Sequence, residues 1–156
     1  MILCNEKAVK LKKPVFFRKN VVLKNMNLET LLQRFADVYC NRTKIEYDAT
    51  YGSVLVMDDG LLEVRVEPNE DEAWFHCPIF DIPKNKREKI YEMLLTSQHF
   101  GKLTRGAHFS LNISEQKILI CKNIKIENIM QEDFDHDLRE FFETCLLYKA
   151  NLKDFA

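Results

Sequence analysis

Histidine, cysteine and clustered carboxylates are the residues of this 156-residue chain that could do chemistry, and their spacing matches no catalytic arrangement. Its four histidines, His76, His99, His108 and His136, fall in four different predicted elements. His76 and Cys77 are neighbours on a predicted strand, so their side chains point to opposite faces and do not readily share a metal ion. The sequence has no glycine-rich phosphate loop, nucleophile elbow or HExxH zinc motif. We therefore expect a non-catalytic protein with no metal site and no cofactor.

The acidic run Asp133, Asp135 and Asp137 resembles the first half of a calcium-binding loop. Two later positions of that loop do not fit, because Leu138 stands where the loop needs glycine and Thr144 where it needs glutamate. Acidic residues are also favoured in the first turn of a helix, where the helix dipole attracts anions. The run therefore predicts the start of a helix and not a calcium site.

The cysteine content and the N-terminal residues predict a cytoplasmic protein. The five cysteines are odd in number and form no CxxC pair, which argues against a disulfide framework and favours a reducing compartment. The sequence becomes charged at Glu6 and Lys7, before any apolar stretch long enough for a secretory signal. No apolar run approaches the roughly 20 residues that a membrane-spanning helix needs.

Charge divides the chain after residue 27. Residues 1–27 have seven basic side chains and one acidic, whereas residues 28–156 have 16 basic and 23 acidic. We predict a basic N-terminal arm (1–27) followed by one acidic domain (28–156), which favours a basic or apolar partner over nucleic acid. Two interpretations of the arm stay open: a solvated or docked segment, and one that contacts phosphates. Within it, Val15–Phe17 and Val21–Leu23 flank Arg18–Asn20 and predict a short hairpin.

Hydrophobic periodicity predicts three helices and five strands. The first helix spans Leu28–Tyr39, with Asn27 as its N-cap, the second spans Pro83–Gln98, and the third spans about Asp133–Leu152. Alternating apolar residues predict the strands Tyr51–Met57, Leu62–Val66, Ala73–Ile79, Phe109–Ile113 and Ile118–Ile120. The order α-βββ-α-ββ-α predicts the α+β class, with an antiparallel sheet covered by helices.

The order of elements, the chain length and the acidic domain resemble the class I type III secretion chaperones, small bacterial dimers that hold effector proteins before export. The resembling segments cover residues 28–152, and the basic arm departs from the family plan. They are the helix around Leu31-Leu32-Gln33-Arg34-Phe35, the meander Val54–Ile79, the Pro83–Gln98 helix, the strands Gly106–Leu111 and Lys117–Cys121, and the Phe134–Leu152 helix.

The resemblance implies an ATP-independent protein that holds an effector segment in extended form. Such a segment would lay apolar side chains into grooves near the first helix and add strands to sheet edges. The implied effector contacts, each of which also fits ordinary core packing, are Leu28, Leu31, Leu32, Phe35, Val54 and Val56. The implied homodimer contacts are Ile90, Tyr91, Met93, Leu94, Leu95, Phe109 and Leu111.

Other interpretations stay open at this point. A regulatory domain of the same fold would bind a folded transcription or secretion regulator instead of an extended effector segment. The arm could contact a component of the secretion apparatus, or nucleic acid, in which case binding would weaken steeply with salt. The same apolar helix faces would serve a heterodimer as well as a homodimer.

Overall fold

Within the described residues, six antiparallel strands form one sheet and three α-helices pack with it. The computed structural model describes residues 19–38, 43–50, 52–57 and 60–155. The helices are α1 (Lys19–Val38), α2 (Arg87–Gln98) and α3 (Gln131–Leu152). The strands are β1 (Thr43–Asp48), β2 (Gly52–Met57), β3 (Leu62–Asn69), β4 (Glu72–Asp81), β5 (His108–Asn112) and β6 (Lys117–Lys125). The predicted α+β class is confirmed.

The strand order is β1-β2-β3-β4-β6-β5. The first four strands form a meander, and the β5–β6 hairpin folds back so that β6 lies beside β4. This order makes β1 and β5 the two edges of the sheet. An edge strand presents a row of backbone N–H and C=O groups to which another chain can bind.

The core lies on one face of the sheet, between the strands and the helices α1 and α3. Aromatic rings join the layers: Phe35 of α1 stacks on Phe142 of α3, with ring centroids 5.8 Å apart. Phe75 of β4 lies 6.2 Å from both Phe134 and Phe141 of α3. All five rings are buried, so they fix both helices against the same face. We call this face the inner face and the opposite one the outer face.

Helix α1 begins earlier than the sequence pattern predicts. It passes through Asn27, so the predicted N-cap at that residue is wrong. The predicted hairpin is also wrong from Lys19 onward, because those residues are helical, while its first strand lies outside the described residues. The helix therefore crosses the predicted boundary between arm and domain. Val21 precedes Leu28 by seven residues, which is about two helical turns, so the helical spacing of apolar residues extends in the sequence to before Asn27.

Two other elements differ from the prediction. Strand β1 was not predicted, because its residues are mostly polar and exposed and give a weak apolar alternation. Helix α2 begins at Arg87 and not at Pro83. Lys86, directly before it, has a φ of 61°, and a left-handed residue cannot lie inside an α-helix.

Candidate functional site

Exposed apolar side chains are concentrated between α2 and the residue after β5. Of the ten large hydrophobic side chains exposed in the described part of the chain, five lie in this stretch. We call them the α2–β5 apolar set: Leu95, Phe100, Leu103, Leu111 and Ile113. Several exposed apolar side chains in one stretch of the chain favour a surface that binds another protein.

A side-chain hydrogen bond and two left-handed residues fix the connection between α2 and β5. The Oε1 atom of Gln98, the last residue of α2, accepts a hydrogen bond from the backbone N–H of Phe109 at 2.7 Å. Between them, Phe100 and Gly101 have φ values of 58° and 65°, in the left-handed region that ends helices. The chain therefore turns sharply after α2, and the Phe100 side chain is left 84% exposed.

The seven residues predicted for a dimer interface are divided between core and surface. Ile90 and Leu94 are 0% and 3% exposed and belong to the core, whereas Leu95 and Leu111 are 67% and 43% exposed. The half-buried members are Tyr91, Met93 and Phe109. The surface-accessible part of the predicted interface is therefore centred on Leu95 and Leu111.

Three members of the α2–β5 apolar set were missed by the sequence prediction. Phe100 and Leu103 lie in the connection after α2, and Ile113 follows β5. Periodicity does not detect Phe100 and Leu103, because it searches within helices and strands, and it registered Ile113 only as the last residue of a predicted strand. The available signal was large apolar residues next to Gly101 in a loop, where polar residues are the usual choice.

The four α1 residues predicted to contact an effector are core residues in this structure. Leu28, Leu31, Leu32 and Phe35 are all buried and belong to the cluster that includes the inner face of the sheet. Their side chains are therefore packed within this subunit.

Val54 and Val56 lie on the outer face, away from α1. Val54 is in register with Arg65 and Val56 with Glu63, while Leu55 between the two valines points into the core. The valines line a concavity of about 280 Å³. Its other lining residues are Glu46, Tyr47, Asp48, Glu63 and Arg65. The six predicted effector contacts thus do not form one groove, because the sheet separates the valines from the α1 residues.

His76 on the outer face has a cysteine and a carboxylate beside it. Its Nδ1 atom lies 3.5 Å from Cys121 Sγ, and its Nε2 atom lies 3.6 Å from Glu67 Oε2. This arrangement lacks a reactive nucleophile, because burial raises the pKa of Cys121 to about 11 and keeps the thiol protonated near neutral pH. Burial also raises the pKa of Cys145, with Cys77 as a further cause.

Neither a metal cluster nor a membrane span is found in the described residues. No group of three or more His, Cys, Asp or Glu side chains within these ranges is placed to hold a metal ion. No helix among them is both long and apolar enough to cross a bilayer.

Comparison with known sequences identifies a family. The sequence profile of the Tir chaperone protein (CesT) family matches residues 30–145. The matched stretch extends from α1 into α3 and includes every described strand. No curated protein sequence matches the chain.

Several solved structures share the fold at low sequence identity. A chain of the HopA1–SchA chaperone–effector complex is 12% identical with a TM-score of 0.61, and the match covers 82% of this chain and 97% of that chain. A chain of the ExsC–ExsE complex is 15% identical with a TM-score of 0.62, and the match covers 82% of this chain and 94% of that chain. A third match is to the Yersinia pestis type III secretion chaperone SycH in complex with a stable fragment of YscM2. It is 17% identical with a TM-score of 0.53, and the match covers 76% of this chain and 97% of that chain.

Proposed function

This chain belongs to the Tir chaperone protein (CesT) family, and we propose that it is a type III secretion chaperone of the bacterial cytoplasm. In this proposal it forms a homodimer, binds the extended segment of an effector protein before export, and needs neither catalysis nor ATP. The observation that supports it most is the family match over residues 30–145. Structures of the same fold were solved as complexes, among them the HopA1–SchA chaperone–effector complex and SycH with a stable fragment of YscM2.

The α2–β5 apolar set is the surface we propose for the dimer. It includes Leu95 and Leu111, the two most exposed residues of the predicted interface. Strand β5 is also an edge of the sheet. A two-fold dimer uses the same patch on both subunits, and a self-complementary apolar patch satisfies that requirement.

The β1 edge of the described sheet and the adjoining concavity are the place we propose for the effector segment. An extended segment gains main-chain hydrogen bonds at a sheet edge and side-chain contacts in a neighbouring pocket. Val54 and Val56 provide the apolar floor of that pocket. Tyr47 on β1 is 64% exposed and is in register with Ser53, so its side chain lies at the same edge on the inner face, where a strand paired with β1 would also contact it. We propose that the four buried α1 residues act indirectly, by holding the helix in place.

Co-purification tests this proposal. The tagged chain is co-expressed with N-terminal segments of type III effectors and purified without ATP. We expect a segment to co-purify and to stay bound at about 0.5 M salt, because apolar contacts and strand pairing are weakly screened. Tyr47→Ala should weaken capture about five- to tenfold, as loss of an exposed interface aromatic does. The matched control is Leu147→Ala, which truncates another exposed apolar side chain on α3 and should leave capture unchanged.

The competing regulatory function predicts a different partner. If the captured protein is a regulator that is folded and protease-resistant on its own, the chaperone proposal is wrong and the regulatory one is supported. A bound segment that is degraded rapidly when free and protected in the complex supports the chaperone proposal.

A further inference from the structure

A second cavity lies at the end of β4, three places from β1 in the strand order. Its volume is about 710 Å³. The apolar part of its lining comes from the last residues of β4 and from the C-terminal 3-10 turn after α3. These apolar residues are Pro78, Ile79, Phe80 and Phe155, and Pro83 in the loop before α2 adds to them. The cavity is large enough for several side chains of a bound polypeptide.

The charge of this cavity is opposite to that of the domain. Five lysines and a single carboxylate, Asp81, line it, although residues 28–156 are acidic in total. The lysines are Lys84, Lys86, Lys117, Lys149 and Lys153. Because the domain has an excess of acidic residues, a local cluster of lysines is not explained by general surface composition.

Two of the five lysine side chains have bonding partners within the domain. Lys117 forms an ion pair with Asp81, and Lys149 donates a hydrogen bond to the backbone carbonyl of Leu61 at 2.5 Å. Lys84, Lys86 and Lys153 form no ion pair with a carboxylate in the described part of the chain. Three ammonium groups at the cavity are therefore available for an anionic partner.

Backbone geometry at the same place favours an extended, acidic chain. The pairing of β3 with β4 ends at Arg65 and His76, although β4 continues to Asp81 along the cavity. Among the described residues, the last part of β4 therefore has no partner strand on its β3 side, and an extended chain can pair with such an edge. Helix α2 begins directly after the wall formed by Lys84 and Lys86, and its N-cap residue Lys86 makes no side-chain hydrogen bond to the first turn. The positive end of the helix dipole adds to the lysine charge.

We propose that this lysine-lined cavity binds an acidic stretch of the effector polypeptide in extended form, an inference that rests on the proposed chaperone function. Apolar side chains of the stretch contact Phe80 and Phe155, and its carboxylates pair with Lys84, Lys86 and Lys153. The chain's own arm does not fit the cavity electrostatically, because residues 1–27 have seven basic side chains and one acidic.

Fluorescence anisotropy with a labelled peptide of alternating glutamate and leucine tests the inference on the full chain. The comparison peptide has glutamine in place of glutamate. We expect the double variant Lys84→Glu/Lys86→Glu to weaken binding of the acidic peptide about tenfold, and higher salt to weaken it as well. The control Arg34→Glu/Lys125→Glu makes the same charge change at exposed positions on α1 and β6, outside the cavity and the first turn of α2, and should stay within about twofold of the unmodified chain. Thermal unfolding of both variants checks that each is folded.

Three results would overturn the inference. They are equal affinity for the two peptides, equal losses in the two double variants, and displacement of the acidic peptide by millimolar inorganic phosphate, which would indicate a small-anion site. The proposed function is tested separately. A chain that captures effector segments but ignores the acidic peptide contradicts only this inference, whereas one that binds the peptide but no effector segment contradicts the chaperone function.

Discussion

Lys122 is a charged residue on the inner face of the sheet. It lies on β6 in register with Phe75, and its side chain is 11% exposed. Its Nζ atom lies 3.2 Å from Oδ1 of Asp137 and 3.5 Å from the backbone carbonyl oxygen of the same residue on α3. The Asp137 side chain is more exposed, at 40%. Removing the carboxylate would leave a buried ammonium without its charged partner, whereas removing the ammonium would leave a carboxylate that water can reach.

We therefore predict unequal costs for the two halves of this ion pair. Asp137→Ala should lower the free energy of unfolding by about 1–3 kcal/mol, and Lys122→Met, which keeps the apolar stem, by less than about 1 kcal/mol. Urea unfolding followed by circular dichroism measures both. A larger loss for Lys122→Met than for Asp137→Ala would contradict this account of the pair.

His76 makes stability depend on pH. Burial lowers the pKa of His76 below its ordinary value of 6.5, Glu67 opposes that shift, and His108 and Arg65 add to it. The folded state therefore favours neutral imidazole, while the unfolded chain takes up a proton near the ordinary value. The stabilisation is complete above about pH 6.5 and is lost as the pH falls towards the folded-state pKa.

The His76→Gln variant tests this pH dependence. Between about pH 7.5 and pH 5.5, we expect the melting temperature of the unmodified chain to fall more than that of His76→Gln. His99→Gln, which removes an exposed imidazole, should behave like the unmodified chain. If His76→Gln keeps the full pH dependence, another group is responsible.

At the scale of elements, the sequence pattern best predicted the helices and strands that bury one face along their whole length. In α3, the apolar residues that recur at helical spacing in the sequence include Phe134, Leu138, Phe141, Phe142 and Cys145, all of which are buried. Strands β3 and β4 alternate buried and less buried residues as their sequences suggest. Strand β1 was missed because an edge strand with polar side chains gives little periodic signal.

The dimer proposal leads to a prediction about one helix. Leu95→Asp should convert a dimer into a monomer, because it would place an unpaired carboxylate in an apolar interface. Thr96→Asp introduces the same charge at the next exposed position of α2 and should leave the dimer intact. Size-exclusion chromatography over a concentration series distinguishes the two. A Leu95→Asp protein that remains dimeric would exclude α2 from the interface.

At the scale of the whole molecule, the family and the fold could be predicted from the sequence, but the contact surface could not. Apolar periodicity shows that α1 and β2 each have an apolar face, yet it does not show what covers that face. In the structure, Leu31 and Phe35 are covered by the subunit's own core, and Val54 lies on the other side of the sheet. The lysine-lined cavity was missed because β4, the loop before α2, β6 and the end of α3 approach one another only in the folded chain.

Light scattering tests the central proposal, a dimer that holds one extended segment, most directly. The mass is measured for the purified chain alone and after co-expression with an effector N-terminal segment. We expect twice the chain mass of 18.5 kDa without the segment, and the same mass plus one segment in the complex. A stable species of 18.5 kDa that gains no mass with any segment would contradict both the dimer and the chaperone function.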